Sequence, residues 1–174
     1  MALIKTISSI IIICSCTFLG FLYGKRYSDR VNHLIYLEQC IKMLETEIVY
    51  GATPLPEALY NVYLKGNKKI SFIFEYIRED LISNKRGEVL DSFISIKDVL
   101  ATKLQLKDED IESFISLGRV LGSSDRQDQQ KNFVIILNQI RELTREAKIE
   151  KDKNEKMFRN LGVLTGLAIV IILI

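Results

Sequence analysis

The sequence predicts an all-α protein, a bundle of about six helices whose long first and last helices continue from apolar segments at the ends of the chain. Apolar residues recur at helical spacing through the middle of the chain, and no long run alternates apolar with polar residues. The 174 residues include 24 Lys+Arg and 22 Asp+Glu, yet the mean hydropathy is +0.12. Residues 1–23 contain one charge, Lys5, and residues 161–174 contain none. Residues 24–160 therefore carry 23 basic and 22 acidic side chains.

This distribution divides the chain into an N-terminal transmembrane anchor (1–23), a helical-bundle domain (24–160) and a C-terminal transmembrane segment (161–174). The middle region is long enough for one domain with its own core. Its near-neutral charge disfavours a nucleic-acid binder, and two prolines with nine glycines exclude collagen-like and linker-like chains. The three cysteines form no disulfide framework, which indicates a reducing compartment.

The N-terminal apolar run, ISSIIIICSCTFLGFLY (7–23), carries no charge. As a helix rising about 1.5 Å per residue it spans roughly 25 Å, enough to cross a bilayer core. The alternative is a cleaved signal peptide, because Ile13-Cys14-Ser15-Cys16 has some likeness to a lipoprotein cleavage box. Cys14 is unusual inside such a box and apolar residues continue beyond it, so we expect a retained anchor.

The C-terminal run, LGVLTGLAIVIILI (161–174), spans roughly 21 Å as a helix, and Arg159 can extend it by snorkelling. A buried core helix is the alternative, but it would need burial on every side. Basic residues lie on the middle-region side of both apolar runs: Lys25, Arg26, Arg30, Lys151, Lys153, Lys156 and Arg159. The positive-inside rule then predicts a multi-pass protein of the cell membrane with residues 24–160 in the cytoplasm.

The first span is predicted to run into one long helix ending near Tyr50-Gly51, with Gly51 as its stop. Thr53 is expected to cap the next helix, with Pro54 at the first helical position. Further helices are predicted over residues 54–63, 70–83, 89–104 and 108–122, the last of these beginning with acidic residues in its first turn.

The last long helix is expected to be capped within residues 123–125. It carries about two heptads of an apolar seam, formed by Phe133, Leu137, Ile140, Leu143 or Thr144, and Ala147. Residues 148–156 are almost wholly charged, and the pattern leaves open whether they form a helical stalk or a loop.

The sequence contains no recognisable catalytic, metal or cofactor motif. The one histidine, His33, has no partner residues nearby in the sequence, so a surface or interfacial role is expected. The acidic group at 108–112 lacks the spacing and central glycine of an EF-hand. GRVLG (118–122) lacks the Lys-Ser/Thr of a phosphate-binding loop. We therefore expect an assembly or scaffold protein rather than an enzyme.

Three stretches of the chain carry a family resemblance: LETEIVYGATPLPEAL (44–59), LGSSDRQDQQKNF (121–133) and the terminal GLAIVIILI. With the chain length and the layout of its apolar ends, they resemble the stage III sporulation protein AB family of spore-forming bacteria. The resemblance covers essentially the whole chain, although between residues 65 and 110 it is one of pattern only.

The resemblance implies a role in the mother cell during engulfment, in the membrane complex that links the mother cell to the forespore. In this family the helical domain is similar to that of the inner-membrane platform protein of type II secretion and type IV pilus systems. The implied function is a platform or adaptor that couples a secretion-type ATPase, stage III sporulation protein AA, to the membrane machinery. The implied partners are this ATPase, other membrane subunits and membrane lipids, with no nucleic acid and no cofactor.

The residues of the resembling stretches and their neighbours divide into two groups. Structural roles are expected for Gly51, Thr53, Pro54, Pro56, Gly118, Gly122 and Ser124, as turn formers, close-approach positions and caps. Packing explains the second group less well, so we expect it to form a polar partner-binding surface: Glu57, Arg119, Asp125 and Arg126.

Two alternatives come from other classes of protein. One is a membrane-anchored regulatory bundle that senses something through its outer ends, although few residues lie outside the membrane. The other is a scaffold that forms a coiled-coil oligomer through the seam at residues 133–147.

Overall fold

The computed structural model describes residues 2–83, 87–123 and 126–173, without the side chains of residues 2–6, 123, 126, 127 and 173. Throughout these residues it is helical, with short connections and no strand. Seven α-helices and one π-helical turn are described: α1 Ala2–Glu45, the π-turn Thr46–Tyr50, α2 Leu55–Lys65, α3 Phe72–Ser83, α4 Val89–Ile94, α5 Lys97–Thr102, α6 Asp108–Ser123 and α7 Arg126–Leu173. The predicted all-α fold with long first and last helices is confirmed.

The chain forms two compact units. The first, here called the helix pair, contains Met1–Val31 and Glu146–Ile174. The second, the helical domain, is Asn32–Arg145. Residues 24–31 and 146–160 thus belong to the compact unit of the chain ends, whereas the membrane boundaries drawn at residues 23 and 161 stay a prediction.

The core of the helical domain contains aromatic rings that pack on one another. Phe114 of α6 contacts Phe74 of α3 edge-on, with ring centroids 5.9 Å apart, and Phe93 of α4 at 5.3 Å. All three side chains are fully buried. Helices far apart in sequence also contribute buried apolar side chains: Leu34, Leu37, Ile41, Leu44, Leu59, Ile70, Ile73, Ile77 and Phe133. Burial of this size stabilises a domain mainly through the hydrophobic effect.

The helix predicted over residues 89–104 is in fact two helices, α4 and α5, separated at Ser95-Ile96. The Ser95 hydroxyl donates to the Ser92 carbonyl oxygen at 2.9 Å. An uninterrupted helix would use that acceptor for the amide of residue 96. Local side-chain hydrogen bonding of this kind competes with helical hydrogen bonding, and apolar periodicity does not reveal it.

The connection between α5 and α6 is fixed at both ends by side chains. His33 Nδ1 donates to the Leu104 carbonyl oxygen at 2.7 Å. Asp110 Oδ2 accepts from the Lys107 amide at 2.9 Å, so its carboxylate helps to begin α6. The single histidine therefore ties this connection to α1 within the helical domain.

Helix α7 continues without a break through residues 148–156, so the charged stretch is helical. Farther towards its N-terminus, the apolar seam is buried within the helical domain. Phe133 and Ile140 are fully buried, and Leu137 and Thr144 are nearly so. This seam is already occupied by the rest of the chain.

In the helix pair, α1 and α7 pack with their backbones in close contact at glycines. A Cβ built on Gly20 would lie 2.6 Å from the Phe158 carbonyl oxygen and 3.0 Å from Gly162 Cα. A Cβ on Gly162 would lie 2.7 Å from the Cys16 carbonyl oxygen, and one on Gly166 would lie 3.1 Å from Ile13 Cα. Small residues four apart allow such close approach of apolar helices.

Beyond the glycines, aromatic and charged side chains join the same two helices. Phe158 stacks on Tyr23 and on Tyr27, with ring centroids 6.1 and 5.9 Å apart. Arg30, whose side chain is 6% exposed, pairs with Glu150 at 2.7 Å. These contacts define the register of α1 against α7.

Candidate functional site

The junction between the π-turn and α2 is organised by one carboxylate, Glu47. Its Oε2 accepts from the Thr53 hydroxyl at 3.1 Å and from the Asn61 amide at 3.0 Å, while Oε1 accepts from Lys65 Nζ at 2.8 Å. The hydrogen bond from Lys65, followed by that from Asn61, lowers the pKa of Glu47 below its ordinary value. Sequence reasoning missed this residue. Two α2 side chains spaced four apart, Asn61 and Lys65, were the available signal.

The turn itself differs from the predicted one. Gly51 ends the helix with an ordinary right-handed conformation, φ −77°, and the left-handed residue is Ala52, φ 50°. Pro54, rather than Thr53, occupies the N-cap of α2, and Pro56 lies in its first turn. The Thr53 hydroxyl bonds to Glu47 instead of capping the helix, because the proline N-cap shifts the start of α2 by one residue.

This junction borders a shallow surface depression of about 310 Å³, which we call the junction depression. It is lined by Ile48, Ala52, Thr53, Leu55, Leu121 and Gln129. Tyr50, two residues before the lining residue Ala52, has an exposed ring, and its hydroxyl accepts from the amide of Gln130, the neighbour of the lining residue Gln129, at 3.3 Å. The depression thus brings residues 48–55 together with residues 121–130, across some 70 positions of sequence.

The predicted partner-binding residues do not share one depression. Glu57 is exposed in the first turn of α2. Arg119 is exposed on α6 and lines a different depression of about 380 Å³ with α4 residues. Asp125 lies outside the described residues, as does the predicted cap Ser124, and Arg126 is described only as the first residue of α7.

The two α6 glycines have different surroundings. A Cβ on Gly118 would lie 2.7 Å from the Phe93 ring, so α4 and α6 approach each other closely there. A Cβ on Gly122 would meet only Val89, at 3.5 Å, an ordinary contact. Gly122 also lies inside α6, which continues to Ser123. The steric requirement for glycine is therefore confined to Gly118.

The side chains of these surfaces can form polar and apolar contacts. Within the described residues, no group of three His, Cys, Asp or Glu side chains is arranged to hold a metal ion. Burial raises the pKa of the Cys40 thiol to about 11, partly offset by a hydrogen bond from the Asn67 backbone. A buried thiol with a raised pKa is unreactive, which matches a packing role for this residue.

One described helix is long and apolar enough, by length and composition, to cross a membrane; it covers Ile7–Tyr50 near the N-terminus. Fold and surfaces together define a class of protein. It is all-helical, with one helix of membrane-spanning length and composition and a compact helical domain that offers contact surfaces.

Comparison with known proteins identifies the family. The family model for stage III sporulation protein AB matches residues 5–174, so the chain belongs to that family. It is 30% identical over 171 residues to stage III sporulation protein AB of Bacillus subtilis strain 168, covering 98% of this chain and 99% of that protein. A solved structure of stage III sporulation protein AB superposes with a TM-score of 0.64 at 26% identity, covering 72% of this chain and 98% of that one.

Proposed function

We propose that this protein is a membrane platform or adaptor subunit of the sporulation channel complex between mother cell and forespore. In this role the helical domain binds a secretion-type ATPase, stage III sporulation protein AA, and the helix pair holds that domain at the mother-cell membrane alongside other membrane subunits. Membership of a sporulation family supports the setting. The coupling role rests on the surface described next.

The observation that carries the proposal is the convergence at the junction depression. The stretches that resemble the family most closely, residues 44–59 and 121–133, lie far apart in sequence, yet both line it. Its lining combines apolar, hydroxyl and amide side chains. Two exposed residues lie close in sequence to lining residues: Tyr50, two residues before Ala52, and Glu57, two residues after Leu55. Aromatic residues within such a mixed surface are typical of protein interfaces.

The membrane part of the proposal is that both helices of the helix pair cross the bilayer. Gly20 packs on Gly162 and Gly24 packs on Glu155, so the two helices are antiparallel, and Gly20 and Gly162 share one level. After Gly20, the first charged residue of α1 is Lys25. On α7 the last charge before the uncharged run is Arg159, three residues before Gly162. Because the uncharged runs of both helices end within about one helical turn of the same level, both fit one hydrocarbon slab.

The basic flanks of both helices lie on the side of the helical domain in sequence, which by the positive-inside rule supports a cytoplasmic position for that domain. Reporter fusions at the two termini test this orientation. We expect activity from reporters that work outside the cytoplasm. Activity of a cytoplasmic reporter fused at the N-terminus would contradict it.

The adaptor role is tested by co-purification of the full chain with the sporulation ATPase from membranes. We expect Glu57→Lys to weaken recovery of the ATPase, because it reverses an exposed charge in the first turn of α2, the helix whose first residue, Leu55, lines the junction depression. Asp98→Lys is the matched control, since it makes the same charge change on the exposed surface of α5. Equal recovery with both variants, or no recovery with the unmodified chain, argues against the adaptor role.

The coiled-coil alternative lacks the free surface it requires. It places the seam at residues 133–147 between two chains, whereas Phe133, Leu137, Ile140 and Thr144 are buried in the helical domain. Separating them from the core would expose fully buried apolar side chains at a cost of about 1.5–3 kcal/mol each. The adaptor role makes no such demand.

A further inference from the structure

The helix pair gathers cations from two distant parts of the chain at one level. Gly24 of α1 lies against Glu155 of α7, with 3.2 Å from its Cβ position to the Glu155 carbonyl oxygen. Lys25 and Arg26 follow Gly24, and Lys156 and Arg159 follow Glu155. Because α1 and α7 run antiparallel, Lys25 and Arg26 lie on one side of this level and Lys156 and Arg159 on the other. At about 1.5 Å per residue, the four cations span roughly 9 Å along the helix axes. We call them the basic collar.

The collar residues are available to a ligand. All four side chains are exposed, and none of them forms an ion pair with another described residue. Arg30, by contrast, is buried and paired with Glu150. The acid closest in level, Glu155, has its Cγ 3.5 Å from the Cβ position of Gly24, so its stem is turned into the contact between the helices.

Aromatic rings lie among the collar cations and beside them. Tyr23 and Tyr27 stack on Phe158, and the Arg26 guanidinium lies over the Tyr23 ring at 5.0 Å. Tyrosines concentrate at the headgroup level of membranes, where one end of the ring is apolar and the other wet. The stacking holds Arg26 at that level, where its planar donors match a phosphate group.

We propose that the basic collar is a binding site for anionic phospholipid headgroups. The proposal rests on the two-span helix pair proposed above, because only that arrangement brings Lys25 and Arg26 level with Lys156 and Arg159. Unpaired cations next to a ring-lined apolar surface complement a lipid that presents a phosphate with net negative charge above its acyl chains. A zwitterionic headgroup also carries a cationic group, so its net attraction to the collar cations is weaker than that of an anionic headgroup.

The test measures which lipid the full chain retains. The protein is reconstituted in nanodiscs of phosphatidylcholine and phosphatidylglycerol in equal parts, then extracted mildly, and its bound lipids are counted by native mass spectrometry. We expect enrichment of phosphatidylglycerol in the unmodified chain. The enrichment should fall about fivefold for each collar cation removed, the ratio that corresponds to about 1 kcal/mol.

Two variants with equal charge change make the test specific. Arg26→Gln with Arg159→Gln removes two collar cations, and Lys148→Gln with Lys151→Gln removes two that precede the collar residues in α7. We expect only the first variant to lose the enrichment. No enrichment in the unmodified chain, or equal loss in both variants, overturns the proposal.

A disulfide separates failure of the collar from failure of the helix pair. The Cβ position of Gly166 lies 3.2 Å from Cys16 Cβ, close to the separation in a disulfide, so Gly166→Cys should oxidise with Cys16. If this disulfide forms without lipid enrichment, the lipid proposal alone is wrong. If it does not form, the helix pair beneath it is wrong.

Discussion

Replacing Gly20 by leucine should force the two helices of the helix pair apart. A Cβ there would lie 2.6 Å from the Phe158 carbonyl oxygen, and ordinary contact begins at 3.4 Å, so the helices must separate by about 0.8 Å even for alanine. The obstructing atoms belong to the backbone of α7 and cannot rotate away. Leucine adds three more carbons to the same space.

Overpacking of this kind typically costs about 1–3 kcal/mol. At about 1.4 kcal/mol per factor of ten, the ratio of packed to separated helices should fall about 5- to 150-fold. The Cys16 to Gly166→Cys disulfide reports that ratio. In membranes under mild oxidation, its rate of formation should drop by up to a factor in this range when Gly20→Leu is added, the full factor applying where the separated state predominates.

Cys14→Leu is the control, because it introduces the same side chain at an exposed position of the same helix. We expect it to leave disulfide formation close to that of the chain carrying Gly166→Cys alone. If Gly20→Leu and Cys14→Leu form the disulfide at the same rate, glycine packing does not hold the helix pair together.

Three further measurements address the helical domain. Gly118→Ala should destabilise it by about 1–3 kcal/mol in urea unfolding, because the added Cβ would overlap the Phe93 ring. Gly122→Ala, inside the same helix, should be neutral or should stabilise the domain by up to about 1 kcal/mol. Equal effects of the two substitutions would contradict the packing described. With Cys14 and Cys16 replaced by serine, Cys40 should resist maleimide at pH 8 until urea unfolds the domain, and fast labelling of the native protein would show that it is accessible. In thermal denaturation between pH 6 and pH 3, the Glu38→Gln variant should lose less stability on acidification than the unmodified chain. If both lose the same amount, Glu38 does not contribute to the pH dependence of stability.

The sign of the Glu38 effect follows from its surroundings. Burial alone would raise the pKa of Glu38, but hydrogen bonds from Lys42 and Arg141, at 2.7 and 2.8 Å, hold it below its ordinary value of 4.5. A group whose pKa is lower in the folded state stabilises the fold at pH above its unfolded-state pKa. This stabilisation is lost as the pH falls through the folded-state pKa. The loss attributable to Glu38 therefore lies below about pH 4.5.

The sequence predicted the helices better than their junctions. Apolar periodicity located the helices because burial of one face selects the residues along it, as Leu34, Ile41 and Leu44 show. The break at Ser95 depends on a local hydrogen bond that leaves no periodic trace. The turn after α1 depends on Glu47, whose partners Thr53, Asn61 and Lys65 are assembled only by the fold.

The helix pair shows what pattern reading overlooked. Gly20 and Gly24, and likewise Gly162 and Gly166, are spaced four apart, which is a signal for close helix packing in apolar segments. Hydropathy detects that a segment is apolar but carries no information on which face meets a partner. For the predicted site, Glu57 and Arg119 are both exposed but line separate surfaces, because exposure can be predicted from local sequence and convergence cannot.

The contact between Gly20 and Gly162 can form only after most of the chain has been synthesised. The two residues are about 140 positions apart, and bacterial chains grow by about 5–20 residues per second. The N-terminal helix therefore waits roughly 7–30 seconds after its own synthesis before its glycine face can be covered. During that interval the face is open to other helices or to a chaperone. A nascent chain arrested before residue 160 would display it permanently.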